Sequence, residues 1–318
     1  MATKIIPSKQ ISLEPKVLVV LGTTSAGKTS LGVQLAYELN GEIISADSRQ
    51  VYKGMDIGTG KDLGEYKVNG RKVKYHLIDV VSPKKKFDLA KYQKLAQLAI
   101  KDILQRGKLP IIVGGTGLYI QALVDNYQLS STKPDLKKRA QLEKLSVPEL
   151  FNKLAKLKPE FAARLNNSDK NNPRRLVRYL EVVSSGNLEI DQRRKSPYNF
   201  LLLGLNLPDK TLKDKITKRI VDRLEKEDMA GEVKNLQKNG VSWQRLESFG
   251  LEYKFIGQYL QDKFDYVTMI DKLSTASYRF AKRQKTWFKR WEKQGTNINW
   301  IKDKTRALKI INKWLAKP

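Results

Sequence analysis

Cysteine is absent from this 318-residue chain, and histidine occurs once, as His76. The first absence excludes disulfides, thiol nucleophiles and cysteine-bound zinc. The second excludes histidine-rich metal clusters and leaves any Ser-His-Asp triad dependent on one candidate. Negative charge is scarce: 33 Asp and Glu stand against 61 Lys and Arg, a net charge of +28. Solubility needs far less. The excess points to a polyanionic partner, nucleic acid first and anionic membrane surfaces second, although a generally lysine-rich proteome would account for part of it. No apolar run reaches the length of a membrane span. The stretch from Met1 to Lys16 lacks the apolar core of a signal peptide and reads as a short disordered arm. With 40% hydrophobic and 30% charged residues the chain reads as a soluble globular protein. A cytoplasmic location with no membrane association is expected, and a monomer is taken as the state without a sequence feature that dictates it.

Against these absences stands one strong motif. Gly22, Thr23, Thr24, Ser25, Ala26, Gly27, Lys28 and Thr29 fit the phosphate-loop pattern G-x-x-x-x-G-K-[ST]. The preceding apolar run from Lys16 to Leu21 reads as a buried parallel strand. Behind the loop, Leu31, Leu35 and Leu39 recur every four residues, as on the inner face of a helix. Strand, turn and helix start together form an anion cradle: backbone N–H groups and the positive helix end face phosphate oxygens, Lys28 adds a point charge, and the Thr29 hydroxyl can hold Mg²⁺.

Strand patterns at 42–46, 74–81 and 109–113, with a helix from Leu89 to Gln105, continue a β-α alternation that predicts a parallel sheet. From about Tyr127 to Arg194 the chain becomes lysine-rich and helical in period, and Tyr198 to Leu205 returns to strand character. Long helices are expected at Lys210–Leu236 and Val267–Trp291. The predicted fold is therefore α/β: a P-loop NTPase-like parallel sheet flanked by helices, with a helical insertion domain. Its parts are 1–126 (P-loop core, first part), 127–196 (helical insertion) and 197–318 (core, second part, with C-terminal helices). Functional residues of such sheets gather at the carboxyl ends of the strands. The phosphate loop, Asp47–Gln50 and Gly114–Gly117 all lie there.

Other clusters admit two readings each. Asp47, Ser48, Arg49 and Gln50 set a carboxylate, a hydroxyl, a guanidinium and an amide on one turn, suited to a polar heterocycle, yet Asp47 alone would also serve as a cap. Arg174 and Arg178 share a helix face with Arg175 beside them, suited to phosphate or nucleobase contacts or simply to a solvated face. The run from Lys282 to Trp291 mixes five cations with three aromatics, which fits RNA stacking or an amphipathic helix with its aromatics turned inward. His76 reads as a hydrogen-bonded structural residue ahead of a catalytic one. Asp79 is a weak candidate for a Mg²⁺-binding aspartate after a strand.

Taken together, G-T-T-S-A-G-K-T (22–29), E-I-I-S-A-D-S-R-Q-V-Y-K-G-M-D-I-G-T (42–59), H-L-I-D (76–79), I-V-G-G-T-G-L-Y (112–119), R-R-L-V-R-Y-L-E-V (174–182) and K-R-Q-K-T-W-F-K-R (282–290) resemble the tRNA dimethylallyltransferases. The resemblance implies transfer of a dimethylallyl group from dimethylallyl diphosphate to N6 of the adenosine beside the anticodon. It implies Asp47 as the base and Thr24, Lys28, Thr29 and Arg219 on the diphosphate with Mg²⁺. The anticodon stem-loop would meet Asp47, Ser48, Arg49, Gln50, Thr116, Arg174, Arg175, Leu176, Val177, Arg178, Arg283 and Gln284. The sequence departs from the family at Arg174-Arg175, where Gln-Arg is usual, and at Phe249–Lys254. Rival readings are an adenylate isopentenyltransferase acting on free adenine nucleotides, a P-loop kinase, and a non-catalytic RNA-binding protein.

Overall fold

A computed structural model describes residues 14–129, 135–185 and 192–317. Most of the expected N-terminal arm, and two stretches of the insertion, lie outside the described residues. The chain divides into two compact units, residues 1–124 with 196–318, and residues 125–195.

The first unit is built on six parallel strands: β1 (Lys16–Gly22), β2 (Gly41–Ala46), β3 (Tyr75–His76), β4 (Leu109–Gly114), β5 (Asn199–Leu205) and β6 (Asn299–Ile301). Their spatial order is β6-β5-β1-β4-β2-β3. The uninterrupted apolar run of β1 follows from its central place, because successive side chains point to opposite faces and both faces are covered. Val17, Val19 and Leu21 join Tyr92 and Ile100 of α2 (Leu89–Gln105), Ile120 of α3 (Gly117–Val124) and Phe288 of the long C-terminal helix. Leu18 and Val20 join Leu35 of α1 (Lys28–Glu38) and Ile311 near the C-terminus. Each such fully buried side chain contributes about 1.5–3 kcal/mol relative to exposure.

The second unit holds α4 (Leu136–Leu142), α5 (Val147–Leu157), α6 (Pro159–Arg164), α7 (Asn167–Lys170) and α8 (Pro173–Ser184). Leu150, Leu154, Leu176, Val177 and Leu180 form its core. Asn172 starts α8 by accepting the Arg175 N–H at 3.2 Å. Pro173 sits in the first turn of that helix, where its missing donor costs nothing.

Back in the first unit, α9 (Asp209–Lys226), α10 (Met229–Lys238), α11 (Trp243–Phe249), α12 (Leu251–Tyr259) and α13 (Tyr266–Lys293) precede α14 (Lys304–Leu315). Ile216, Ile220, Val233, Tyr253 and Leu273 enclose Val51, Tyr52 and Met55, so this helical layer carries the segment that follows the Asp47 turn.

Two expectations about elements are corrected. The helix expected over 210–236 is interrupted at Asp228, whose backbone is left-handed with φ 56°. That conformation breaks the ladder, while the Asp228 carboxylate accepts the Gly231 N–H at 3.0 Å and so caps the start of α10. The strand expected over 74–81 is reduced to Tyr75–His76. Leu77 (φ 63°) and Asp79 (φ 58°) are left-handed, and that backbone turns the chain out of the sheet. The strand β6 has no counterpart among the sequence expectations, and α14 falls among the C-terminal helices expected there without bounds. Among the described residues no helix is long and apolar enough to cross a membrane.

Candidate active site

At the carboxyl ends of the strands the phosphate loop leaves β1 and enters α1. Left-handed backbone at Ser25 (φ 60°) and at Gly27 (φ 86°) curls it. Only glycine takes the second conformation without cost, and it does so at the position that caps α1. Lys28 folds back across the loop and its Nζ donates to the Thr23 carbonyl at 2.6 Å. The loop forms one wall of a cavity of about 480 Å³. Asp47 and Gln50 line a second wall, Gly114 and Gly115 a third, and Arg219 and Arg223 of α9 a fourth.

The cavity is rich in cations. Arg219 donates from Nη2 to the Thr24 hydroxyl oxygen at 2.8 Å. Burial pushes Lys28 down to about 8, with Arg219 adding to the fall and Asp47 opposing it. Burial also lowers Arg219 to about 10, with Arg223 next in effect. Burial raises the Glu252 carboxyl above its ordinary value, against the pull of the same two arginines. The two cations gain from a bound anion, which would restore the charges that desolvation opposes, whereas the Glu252 carboxyl does not.

Asp47 performs the capping role open to it from sequence, but with one oxygen. Its Oδ1 accepts the N–H of Arg49 at 2.8 Å and of Gln50 at 3.4 Å. The carboxylate is thereby fixed in orientation while facing the cavity. The Thr116 hydroxyl accepts the Ser48 N–H at 3.1 Å, which fastens the same turn to the start of α3. Arg49 lies 5.7 Å over the Phe249 ring, within the range of a cation–π contact.

Several residues expected from sequence to contact RNA are turned inward. Gln50 is buried; its Oε1 accepts from the Ser45 hydroxyl at 2.8 Å and its Nε2 donates to the Gly60 carbonyl at 2.9 Å. Leu176 and Val177 are core residues of the second unit. Gln284 is 7% exposed and bonded to backbone at both ends of its amide. Arg175 is paired with Asp169, and Arg178 lies 3.6 Å from Glu181, whereas Arg174 is exposed. Arg283 is exposed on α13, 5.8 Å over the Phe280 ring.

Asp79 does not line the cavity, which corrects its candidacy as a metal ligand. It binds the ammonium of Lys61 at 2.5 Å, and the same Nζ meets Asp56 at 2.5 Å and the Tyr52 carbonyl at 2.8 Å. Lys61 is fully buried, and three acceptors satisfy its three donors. His76 is structural, bonded through Nε2 to Glu42 Oε2 at 2.8 Å near the amino end of β2. Among the described residues no group of three or more His, Asp or Glu could hold a metal ion.

Sequence reasoning missed a second clamp. The Glu232 carboxylate accepts three successive N–H groups, Asp56 at 2.7 Å, Ile57 at 2.6 Å and Gly58 at 3.1 Å, together with the Tyr253 hydroxyl at 2.7 Å. It thus holds the loop whose next residues, Thr59 and Gly60, line the cavity. No spacing signal links residue 232 to residue 56. Arg223 was also missed; its Nη2 donates to both Asp62 oxygens at 2.9 Å.

Residues 50–291 match the family model described as IPP transferase. Among similar curated proteins, tRNA dimethylallyltransferase 1 of Syntrophus aciditrophicus is 43% identical over 298 residues, covering 92% of this chain and 95% of that protein. The tRNA dimethylallyltransferase 2 of Treponema denticola is 43% identical over 291 residues, covering 89% and 95%. Among solved structures, the full-length tRNA isopentenylpyrophosphate transferase of Bacillus halodurans is 36% identical with a TM-score of 0.67, over 95% of this chain and 96% of that one. A eukaryotic dimethylallyltransferase captured acting on tRNA aligns with a TM-score of 0.78 at 28% identity, over 96% of this chain and 80% of that one. Matches that run nearly end to end, all to enzymes of one kind, settle the kinship the motifs suggested: the chain belongs to the tRNA dimethylallyltransferase family of prenyltransferases.

Proposed function

We propose that this enzyme transfers the dimethylallyl group of dimethylallyl diphosphate to N6 of the adenosine beside the anticodon in tRNA. The observation that carries the reading is the shared cavity. A cationic cradle for a leaving diphosphate and an oriented carboxylate face the same 480 Å³ space. N6 is a poor nucleophile because its lone pair is delocalised into the ring. As N6 bonds to C1 of the donor, the C1–O bond breaks and negative charge collects on the diphosphate. Lys28, Arg219 and the Thr24 hydroxyl are placed to stabilise that charge. The nitrogen becomes acidic as it alkylates, and Asp47 takes its proton.

The Thr29 hydroxyl would hold a Mg²⁺ ion at this site, because Mg²⁺ keeps several waters and takes few protein ligands. The ion would neutralise the departing diphosphate. Arg174, Arg178 and Arg283 supply contacts to the anticodon stem-loop, with Ser48, Arg49 and Thr116 on the acceptor side. The 125–195 unit acts as a tRNA-binding insertion, and the enzyme works as a monomer in the cytoplasm.

Labelled dimethylallyl diphosphate offered with either tRNA or AMP tests the reading. Label in tRNA alone supports it. Label in AMP alone would make the protein an adenylate isopentenyltransferase, and no transfer to either would leave a kinase or a binding protein.

A further inference from the structure

The inward stripe of α13 runs through Ser277, Ala281, Gln284, Phe288 and Trp291, all buried. Gln284 is the one amide in that stripe. An amide withdrawn from water costs free energy unless its donor and acceptor are both met. Here they are met by backbone groups of two different loops: Oε1 accepts the Thr24 N–H at 2.9 Å, and Nε2 donates to the Gly115 carbonyl at 2.8 Å. The two partners fix which way the amide faces, since a flipped amide would set donor against donor. The fit is close: a Cβ at Gly115 would lie 2.5 Å from Gln284 Nε2, so glycine is the residue that allows the approach.

Each bonded loop carries one side of the reaction. Thr24 belongs to the phosphate loop, and its hydroxyl oxygen takes the bond from Arg219. Because the Thr24 N–H is directed to Gln284, this residue meets a diphosphate through its hydroxyl rather than its backbone. On the other side, Thr116 follows Gly115 and holds the Ser48 N–H, next to Asp47. Beyond the ladder that pairs Leu21 with Gly114, a single side chain bridges Thr24 and Gly115.

Resting on the prenyl-transfer reading above, we infer that Gln284 is a positioning residue that sets the register between the donor cradle and the base-bearing turn. It touches neither substrate. Attack requires C1 and N6 at near-contact distance, and a misplacement of about 1 Å costs up to about 10²-fold in rate. The role therefore differs from the RNA contact expected from sequence.

The test compares wild type with Gln284→Met, which keeps the length and removes both hydrogen bonds, and with Gln284→Glu. Three quantities are read: the single-turnover rate at saturating donor and anticodon stem-loop, the stem-loop Kd, and Tm. For Gln284→Met the rate should fall about 10- to 100-fold, while the Kd stays within about twofold of wild type. For Gln284→Glu the carboxylate keeps the bond from Thr24 but repels the Gly115 carbonyl until it is protonated. Its rate relative to wild type should therefore recover as pH falls. A wild-type rate for Gln284→Met, or a raised Kd with an unchanged saturated rate, would overturn the inference, the second by making Gln284 an RNA contact. If Gln284→Met fails to fold, Gln284→Glu decides alone, and a ratio to wild type that is flat with pH counts against the inference. Absence of transfer by wild type itself would overturn the functional reading instead.

Discussion

Donor binding should be tied to a proton on Lys28. Burial lowers this ammonium from its ordinary 10.5 to about 8 in the unliganded cavity. A bound diphosphate places further negative charge beside the ammonium, adding to that of Asp47, and raises that value again. The sign follows directly. Binding is tightest below pH 8, where Lys28 is already charged, and weakens as pH rises through 8 because a proton must then be taken up. If the diphosphate restored the ordinary value in full, the loss would approach about tenfold per pH unit and stop near about 300-fold, or about 3 kcal/mol. Uptake should be about half a proton at pH 8 and near one at pH 9. Calorimetric titration of dimethylallyl diphosphate, without tRNA, in buffers of different ionisation enthalpy measures this uptake. The same titration of Lys28→Met subtracts protons taken by the diphosphate itself. Binding of equal affinity at pH 7 and pH 9, with no proton uptake beyond that of Lys28→Met, would refute the description of Lys28 as a desolvated cation awaiting an anion.

Glu42 is 1% exposed. Although burial works against its charge, hydrogen bonds from Arg106, His76 and Lys108 hold its carboxyl well below the usual range. Stability from this depressed group is present above the unfolded carboxyl value and is lost as pH falls through the folded one. Glu42→Gln should therefore cost about 3 kcal/mol at pH 7 and flatten the acid limb of Tm against pH, with kcat unaffected in the fraction that remains folded. Arg174→Ala should weaken stem-loop binding by about 1–3 kcal/mol if the guanidinium meets a base, at unchanged Tm, since the residue is exposed. Arg175→Ala should lower Tm through loss of the Asp169 pair, which a melting curve reads directly. Binding of unmodified tRNA should fall steeply with salt, and a salt-insensitive Kd would reject the role given to the excess of lysine and arginine.

The sheet was legible because its central strands are buried on both faces, which leaves an uninterrupted apolar run such as Val17–Leu21. The helix over 89–105 was legible because its apolar residues keep one face. The phosphate loop was legible because its chemistry demands fixed residues at fixed spacing. What escaped depended on partners far away in the chain. Asp228 reads as an ordinary helix residue until its left-handed backbone is seen. Leu77 and Asp79 sit in an apolar, strand-like string, yet Asp79 leaves the sheet to meet Lys61. Gln50 and Gln284 have the residue type of a base reader, and only the backbone groups that enclose them show that their amides are spent inside the protein. Glu232 answers three N–H groups near residue 57, and nothing local to either segment announces it.

On the proposed reaction Asp47 is the base and not only the cap of its own turn. Asp47→Asn separates the two roles. The asparagine carbonyl can still accept the Arg49 N–H now taken by Oδ1, so the turn should keep its shape and Tm should stay near wild type. The amide cannot take the N6 proton. At saturating dimethylallyl diphosphate and anticodon stem-loop, single-turnover transfer by Asp47→Asn should be slower by about 10²–10⁴-fold, with both substrates still bound. A rate close to wild type would contradict the account and leave Asp47 a structural cap.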